Sequence, residues 1–212
     1  GNGTQKNVDG IQCYTNKSSG YLSNIQIRQV EVSGFGFCGI QFMSEWNTSV
    51  KGGFSNVFID SCSVHHCREN GIVSIGYDDQ TVRYYQHFNF RITNTKVFNI
   101  TGYAAATHKG SGIVLSQVDS ALIERCEAYE NGGGNTACGG PGGIWVWSAN
   151  RVTIQYCESH HNRSGSGSGC DGLGFDLDGG VTNSCLQYNF AHDNDGAGFL
   201  LGNFPGARPW GN

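Results

Sequence analysis

A short apolar segment opened by glycine recurs along this chain, and that recurrence constrains the fold more than any other feature. The segments are Gly10-Ile11-Gln12-Cys13, Gly39-Ile40-Gln41-Phe42, Gly71-Ile72-Val73-Ser74, Gly112-Ile113-Val114-Leu115, Gly143-Ile144-Trp145-Val146, Gly172-Leu173-Gly174-Phe175 and Gly198-Phe199-Leu200-Leu201. Their opening glycines stand 29, 32, 41, 31, 29 and 26 residues apart. A second strand recurs between them, as in Ile25-Gln26-Ile27, Val57-Phe58-Ile59, Ala121-Leu122-Ile123 and Val152-Thr153-Ile154. Three residues after each second strand comes one repeated position, held by Val30, Cys62, Thr95, Cys126, Cys157 and Asn189. In the later repeats an Asn-containing turn follows: Glu130-Asn131-Gly132, His161-Asn162 and Asp193-Asn194.

Alternation with period two predicts strands, and no segment holds a helical period. A unit of about 30 residues made of short strands and Gly/Asn corners predicts a coil that stacks on itself, all-β, with about seven rungs. One rung cannot bury its inner face alone, whereas stacked rungs share a continuous core. Sandwich strands would instead recur as hairpins every ~8–12 residues. The 33 glycines among 212 residues serve the corners, where left-handed backbone angles are needed. Charged residues make up 14% of the chain, too few for a coiled coil. The net charge of −4 excludes a nucleic-acid binder that works by displacing counterions. No apolar run approaches the ~20 residues of a membrane helix, so no membrane insertion is expected. The repeats fill one domain, 1–212, which reads either as a whole coil or as a segment of a longer one.

The repeats 112–132, 143–162 and 172–194 resemble those of right-handed parallel β-helix proteins, the pectin-lyase-like superfamily. Gly174-Phe175-Asp176-Leu177-Asp178-Gly179-Gly180 and Asn189-Phe190-Ala191-His192-Asp193-Asn194-Asp195-Gly196 are similar to stretches in its secreted bacterial members. The resemblance implies a right-handed coil. It names no activity, because the superfamily spans polysaccharide lyases, hydrolases, esterases, tailspikes and adhesins. The Gly-His-Gly and Arg-Ile-Lys of polygalacturonase-like hydrolases do not occur in this sequence.

Strand alternation assigns faces. Ile113, Leu115, Ile144, Val146, Leu173, Phe175, Phe199 and Leu201 are expected inside, along with Cys62, Cys126 and Cys157. Those cysteines serve either as small space-fillers or as a metal or redox column. Outside, Trp145 and Trp147 beside Asp176 and Asp178 suit a sugar: an indole stacks on pyranose C–H groups while carboxylates bind hydroxyls. The competing expectation is that the long loop 102–110 or 132–142 folds over the tryptophans. Asp176, Asp178 and Asp193 are the candidate catalytic carboxylates, for a polysaccharide hydrolase or lyase. Asp171, Asp193 and Asp195 are candidate ligands for Ca²⁺, which takes several oxygens from neighbouring loops. Against these stands a role for Asp193 and Asn194 as corner caps. Repeat alignment sets His160 over His192 and His161 over Asp193.

Nine cysteines suggest an oxidising compartment. Cys138 and Cys170 lie in equivalent Gly-rich corners and are expected to form a disulfide, with Cys13 and Cys38 as a second candidate pair. Sequons stand at Asn2, Asn16, Asn47, Asn99 and Asn162. Together these features predict an extracellular or cell-surface protein. Two roles follow: a protein that binds a polysaccharide or glycan on its Trp/Asp face, with or without cleaving it, or a glycosylated structural module of a filament, appendage or adhesin. The second rests on terminal rungs without caps of their own, open to head-to-tail self-association.

Overall fold

A computed structural model of the chain describes residues 7–79, 84–104, 107–137, 139–165 and 171–203. Asn2, Cys138 and Cys170 lie outside them, and so does the expected Cys138–Cys170 disulfide. Among the described residues every element is a strand; six rungs each contribute one strand to each of three parallel sheets, and the seventh adds β19 to the first. The first sheet is β1 (Ile11–Thr15), β4 (Ile40–Ser44), β7 (Asn70–Ile75), β10 (Ser111–Ser116), β13 (Gly142–Trp147), β16 (Leu173–Leu177) and β19 (Phe199–Leu201). The second is β2 (Tyr21–Arg28), β5 (Gly53–Asp60), β8 (His87–Thr93), β11 (Val118–Glu124), β14 (Asn150–Gln155) and β17 (Cys185–Gln187). The third is β3 (Glu31–Ser33), β6 (Ser63–His65), β9 (Lys96–Phe98), β12 (Glu127–Tyr129), β15 (Glu158–His160) and β18 (Phe190–His192).

Register makes the core a set of columns. Ile11, Ile40, Ile72, Ile113, Ile144, Phe175 and Phe199 stack along the first sheet. Ile27, Ile59, Ile92, Ile123, Ile154 and Leu186 face them from the second. Val32, Val64, Val97, Ala128, Ser159 and Ala191 close the third side. Burying one such Ile or Val stabilises by roughly 1.5–3 kcal/mol, and each column repeats that gain at every rung. The recurrent glycine has a steric cause. A Cβ at Gly10, Gly39, Gly71, Gly112, Gly143 or Gly174 would meet the carbonyl of the next glycine in the ladder at 2.5–2.8 Å. Larger residues therefore cannot pass this corner.

Two corners per rung use a single left-handed residue. Gln29, Ser61, Asn94, Arg125, Tyr156 and Tyr188 stand between the second and third sheets with φ of 50–56°. His66, Asn99, Glu130, His161 and Asp193 follow the third, with φ of 52–55°. Next to the latter runs a ladder of side-chain amides. Asn131 Nδ2 donates to Asn162 Oδ1 and Asn162 Nδ2 to Asn194 Oδ1, both at 2.9 Å. The same oxygens accept backbone N–H groups one rung earlier, which satisfies buried donors at the turn.

Several expectations need correction. The ladder glycine of the sixth rung is Gly174, not Gly172, so the rung shifts by two residues: Ile144 pairs with Phe175 and Trp145 with Asp176. Leu173 consequently leaves the inner stack and packs outside, beside Trp145. Asn162 is fully buried in the amide ladder, with its Nδ2 already committed, so it is not an accessible sequon. Asn16 and Asn47 are exposed and Asn99 is half-buried. Cys13 packs against the core while Cys38 joins an apolar cluster on the outside of the first sheet, and both are free thiols rather than a pair. Cys62, Cys126 and Cys157 are buried free thiols in the expected column, where the Cys126 N–H points at Cys157 Sγ and the Cys157 N–H bonds Asn189 Oδ1.

Candidate functional site

The outer face of the first sheet changes character along the coil. Its central column runs Gln12, Gln41, Val73, Val114, Trp145, Asp176 and Leu200. Val73, Val114, Trp145 and Cys38 form an apolar cluster separate from the core, with Trp147 packed against it. This second cluster needs a cover, and the connection 99–110 between β9 and β10 supplies one. His108 lies 5.5 Å from the Trp145 ring and stacks on Trp147 at 6.2 Å and 15°. Of the two loops expected there, 102–110 places His108 over both indoles, and 132–142 contributes Gly139, Gly140 and Gly142 to the cavity beside them.

That loop is tied down by polar contacts. Lys109 Nζ lies 2.6 Å from Glu69 Oε2, and the Tyr103 hydroxyl donates to Glu69 Oε1 at 3.1 Å. The Lys109 carbonyl accepts from Asn135 Nδ2 at 2.6 Å, and the His108 N–H donates to the Gly139 carbonyl at 2.9 Å. The indole of Trp145 is fixed in turn, because its Nε1–H donates to Ser111 Oγ at 3.0 Å. Trp145 is only 3% exposed, so it is a wall and not an open platform. Trp147 is half-buried and remains accessible.

Beneath His108 opens a cavity of about 270 Å³. Its walls include Trp145, Leu173 and Leu200, and three carboxylates reach it: Asp171, Asp176 and Asp178. Asp176 is 3% exposed, and its Oδ1 is buried without a hydrogen-bond partner among the described residues. Burial, followed by the charges of Asp178 and Asp171, pushes its pKa up to about 8. Asp178 is raised as well, mainly by burial, although the Gly179 N–H at 2.7 Å and His108 both favour its charge. Burial against the indoles lowers the His108 pKa, opposed by Asp178 and Asp171. At neutral pH the cavity thus holds a neutral carboxylic acid and a neutral imidazole beside an ionisable carboxylate. Such divided protonation is what acid–base chemistry requires. A second cavity of about 350 Å³ is lined by Leu177, Val181 and Leu201 together with Thr182, Asn183 and Ser184, with no titratable side chain among the described residues of its walls.

The remaining predicted residues lie elsewhere. Asp193 is bound to His192 on the outer face of the third sheet and lines no part of the cavity. Asp195 receives Arg163 and the Ser164 N–H, each at 2.9 Å. Asp171, Asp193 and Asp195 therefore do not assemble as one oxygen cluster. Asn194 caps a corner as expected, donating to the Ser159 carbonyl at 2.9 Å. His108, Leu173 and Leu200 were not expected at the site. The one sequence signal for the cover is the 41-residue interval between Gly71 and Gly112, the longest in the repeat.

A comparison with curated protein sequences finds no match. Among solved structures, the native GH136 lacto-N-biosidase from Eubacterium ramulus superimposes with a TM-score of 0.60 at 18% identity, over 85% of this chain and 32% of that one. This chain thus spans about a third of that protein's length, and the likeness is one of fold. A family model described as a right-handed β-helix region matches residues 2–207. The stacked glycine ladder, three parallel sheets and that near-complete match establish that the chain belongs to the right-handed β-helix family.

Proposed function

We propose that the chain binds a glycan in the cavity beneath His108 and cleaves a glycosidic bond there, acting outside the cell or at its surface. The observation that carries this reading is Asp176, a buried carboxyl that keeps its proton at neutral pH beside Asp178. Glycoside hydrolysis needs this division: one carboxylic acid protonates the leaving oxygen while another, ionised, stabilises or attacks the anomeric carbon or activates water. Asp176 is the donor and Asp178, whose charge the Gly179 N–H favours, is the candidate partner, with Asp171 also lining the cavity. Trp145, Leu173 and Leu200 offer apolar surface to sugar C–H groups, and Trp147 extends it outward. The structural likeness to a lacto-N-biosidase supports a carbohydrate as the ligand. The test is to incubate the full chain with a panel of oligosaccharides and aryl glycosides and follow released sugars by mass spectrometry. Hydrolysis by the wild type, lost in Asp176→Asn and Asp178→Asn while calorimetric binding persists, is the expected result. Absence of both binding and hydrolysis across the panel overturns the reading.

A structural module that associates head to tail is the second reading. What favours it is the apolar last rung, where Tyr188, Phe190, Phe199 and Leu201 are exposed in the single chain, Leu201 by 73%. Sedimentation velocity over a range of concentrations separates the two: a monomer at all concentrations removes this alternative.

A further inference from the structure

The outer face of the third sheet carries a feature that the glycan site does not use. The rings of His65, Phe98, Tyr129, His160 and His192 stack in one column, with centroids 4.6–5.1 Å apart. Beside it, the left-handed corner position holds His66, Asn99, Glu130, His161 and Asp193. At the last two rungs both columns supply metal-ligand side chains together: His160 with His161, and His192 with Asp193.

Acceptor chemistry fixes the protons. Glu127 Oε1 lies 3.2 Å from His160 Nε2, and a carboxylate only accepts, so that nitrogen carries the hydrogen. Neutral His160 then presents a lone pair on Nδ1, 2.7 Å from His161 Nδ1, which must be the donor. His161 Nε2 is left without a proton, facing Asp193 Oδ2 at 3.9 Å. Two acceptors thus face each other at 3.9 Å, and only a third species, a water or a cation, can sit between them. On the other side, Glu158 Oε1 lies 3.0 Å from His192 Nε2 and holds the hydrogen there, which turns His192 Nδ1 toward the same Asp193 oxygen at 2.8 Å. A proton can join His192 to Asp193, but it leaves the His161 lone pair open to solvent or to a cation.

We propose that His161 Nε2, His192 Nδ1 and Asp193 Oδ2 form a binding site for a divalent transition metal, Zn²⁺ by ligand chemistry. Suitable ligand atoms of these three residues lie within 4.8 Å of one another. Two imidazoles and one carboxylate with a position left open to water are a Zn²⁺ donor set, whereas Ca²⁺ takes oxygens. The outer shell is already built. Glu158 orients His192, and Glu127 orients His161 through His160, the carboxylate–histidine arrangement that sets tautomer and ring angle around bound zinc. The coil contains its own control. His65 and His66 repeat the 2.7 Å Nδ1 contact, with Glu31 3.2 Å from His65 Nε2, but the next rung offers Phe98 and Asn99 in place of His192 and Asp193.

The experiment uses the tag-free full chain, titrated with Zn²⁺ by calorimetry and with Co²⁺ by visible absorption. Expected are one saturable ion per chain and Co²⁺ ligand-field bands that Zn²⁺ abolishes. His161→Ala or His192→Ala should each lose the bands, Glu158→Gln should weaken binding by roughly 10–100-fold, and His66→Ala should leave it unchanged. Circular dichroism checks folding, and if one ligand variant misfolds the other decides. No saturable binding by the wild type, binding that survives His161→Ala or His192→Ala, or equal loss in His66→Ala overturns the site.

Discussion

Trp145 and Asp176 are register partners on adjacent parallel strands, both directed outward, at the floor of the cavity that His108 covers. An indole and a carboxyl on neighbouring rungs lie one strand spacing apart, about 4.8 Å. Within such a distance an apolar wall desolvates the acid beside it. The geometry that excludes water from Asp176 is thus the one that gives a sugar ring its apolar contact.

The raised pKa of Asp176 has a stability consequence. The folded chain holds this proton up to about pH 8, whereas an unfolded chain releases it near pH 4. Between those values this group binds more protons in the folded state, so its contribution to stability falls as pH rises from about 4 to about 8. Asp176→Asn should flatten that slope and stabilise the protein at pH 8 by a few kcal/mol, while abolishing any hydrolysis. Urea unfolding at pH 5 and pH 8 measures it, and a slope unchanged in the variant would place the carboxyl in water.

His108 covers both indoles without entering the core, so His108→Ala should leave the coil folded and open the cavity. Tryptophan emission should shift to the red as Trp145 gains solvent. Glycan affinity should weaken by about tenfold, equivalent to roughly 1.4 kcal/mol. If emission stays where it was, the loop is held over the tryptophans by Lys109 and Tyr103 alone.

The glycine ladder predicts a contrast between two like substitutions. At Gly71 an added Cβ would run into Val97 Cγ1 and the Gly112 carbonyl, the latter at 2.5 Å. At Gly133 it would meet nothing within 4 Å. Gly71→Ala should therefore cost about 1–3 kcal/mol or more through overpacking, with Gly133→Ala near neutral. Thermal melts of the pair decide it, and equal melting temperatures contradict the ladder as the cause of the repeat.

The same ladder explains what the sequence could and could not tell. Gly39, Gly71, Gly112 and Gly143 each stand directly before an isoleucine, and although Gly110 and Gly142 lie close by, neither is followed by an apolar residue, so the register is legible. At the sixth rung Gly172 and Gly174 both precede apolar residues, and only the approach of the Gly198 carbonyl to Gly174 selects between them. That two-residue choice decides whether Asp176 stands opposite Trp145 or Trp147. The cover was half legible, because an interval of 41 residues announces extra chain without saying where it folds. His161 and His192 were alignable, but their tautomers depend on Glu127 and Glu158, whose side-chain reach no repeat pattern encodes. Asn162 reads as a sequon because local sequence carries no sign that its amide is consumed by Asn194 one rung away.

His87 provides a test of the core that is independent of the cavity. It sits in register between Phe54 and Val118, stacked on Phe54 at 5.7 Å and 20°, and is fully buried. Its Nε2–H donates to the Ile75 carbonyl at 3.1 Å, which assigns the neutral tautomer, while Nδ1 is buried without a partner among the described residues. Burial pushes its pKa down to about 4, against a smaller opposing pull from that carbonyl. An unfolded histidine titrates near 6.5, so between pH 6.5 and 4 the unfolded chain binds more protons. Stability contributed by the neutral ring is therefore present above pH 6.5 and lost as pH falls toward 4, by about 3 kcal/mol in all. His87→Phe keeps the ring and removes the titration. It also strands the Ile75 carbonyl, so at pH 7 the variant should be less stable by about 1–3 kcal/mol. On acidification it should lose less than the wild type does, and the two unfolding curves should converge or cross near pH 4.5. Carboxylates common to both proteins cancel in that difference. If both lose stability in parallel from pH 7 to 4.5, His87 is protonated without cost and the column around it is open to water.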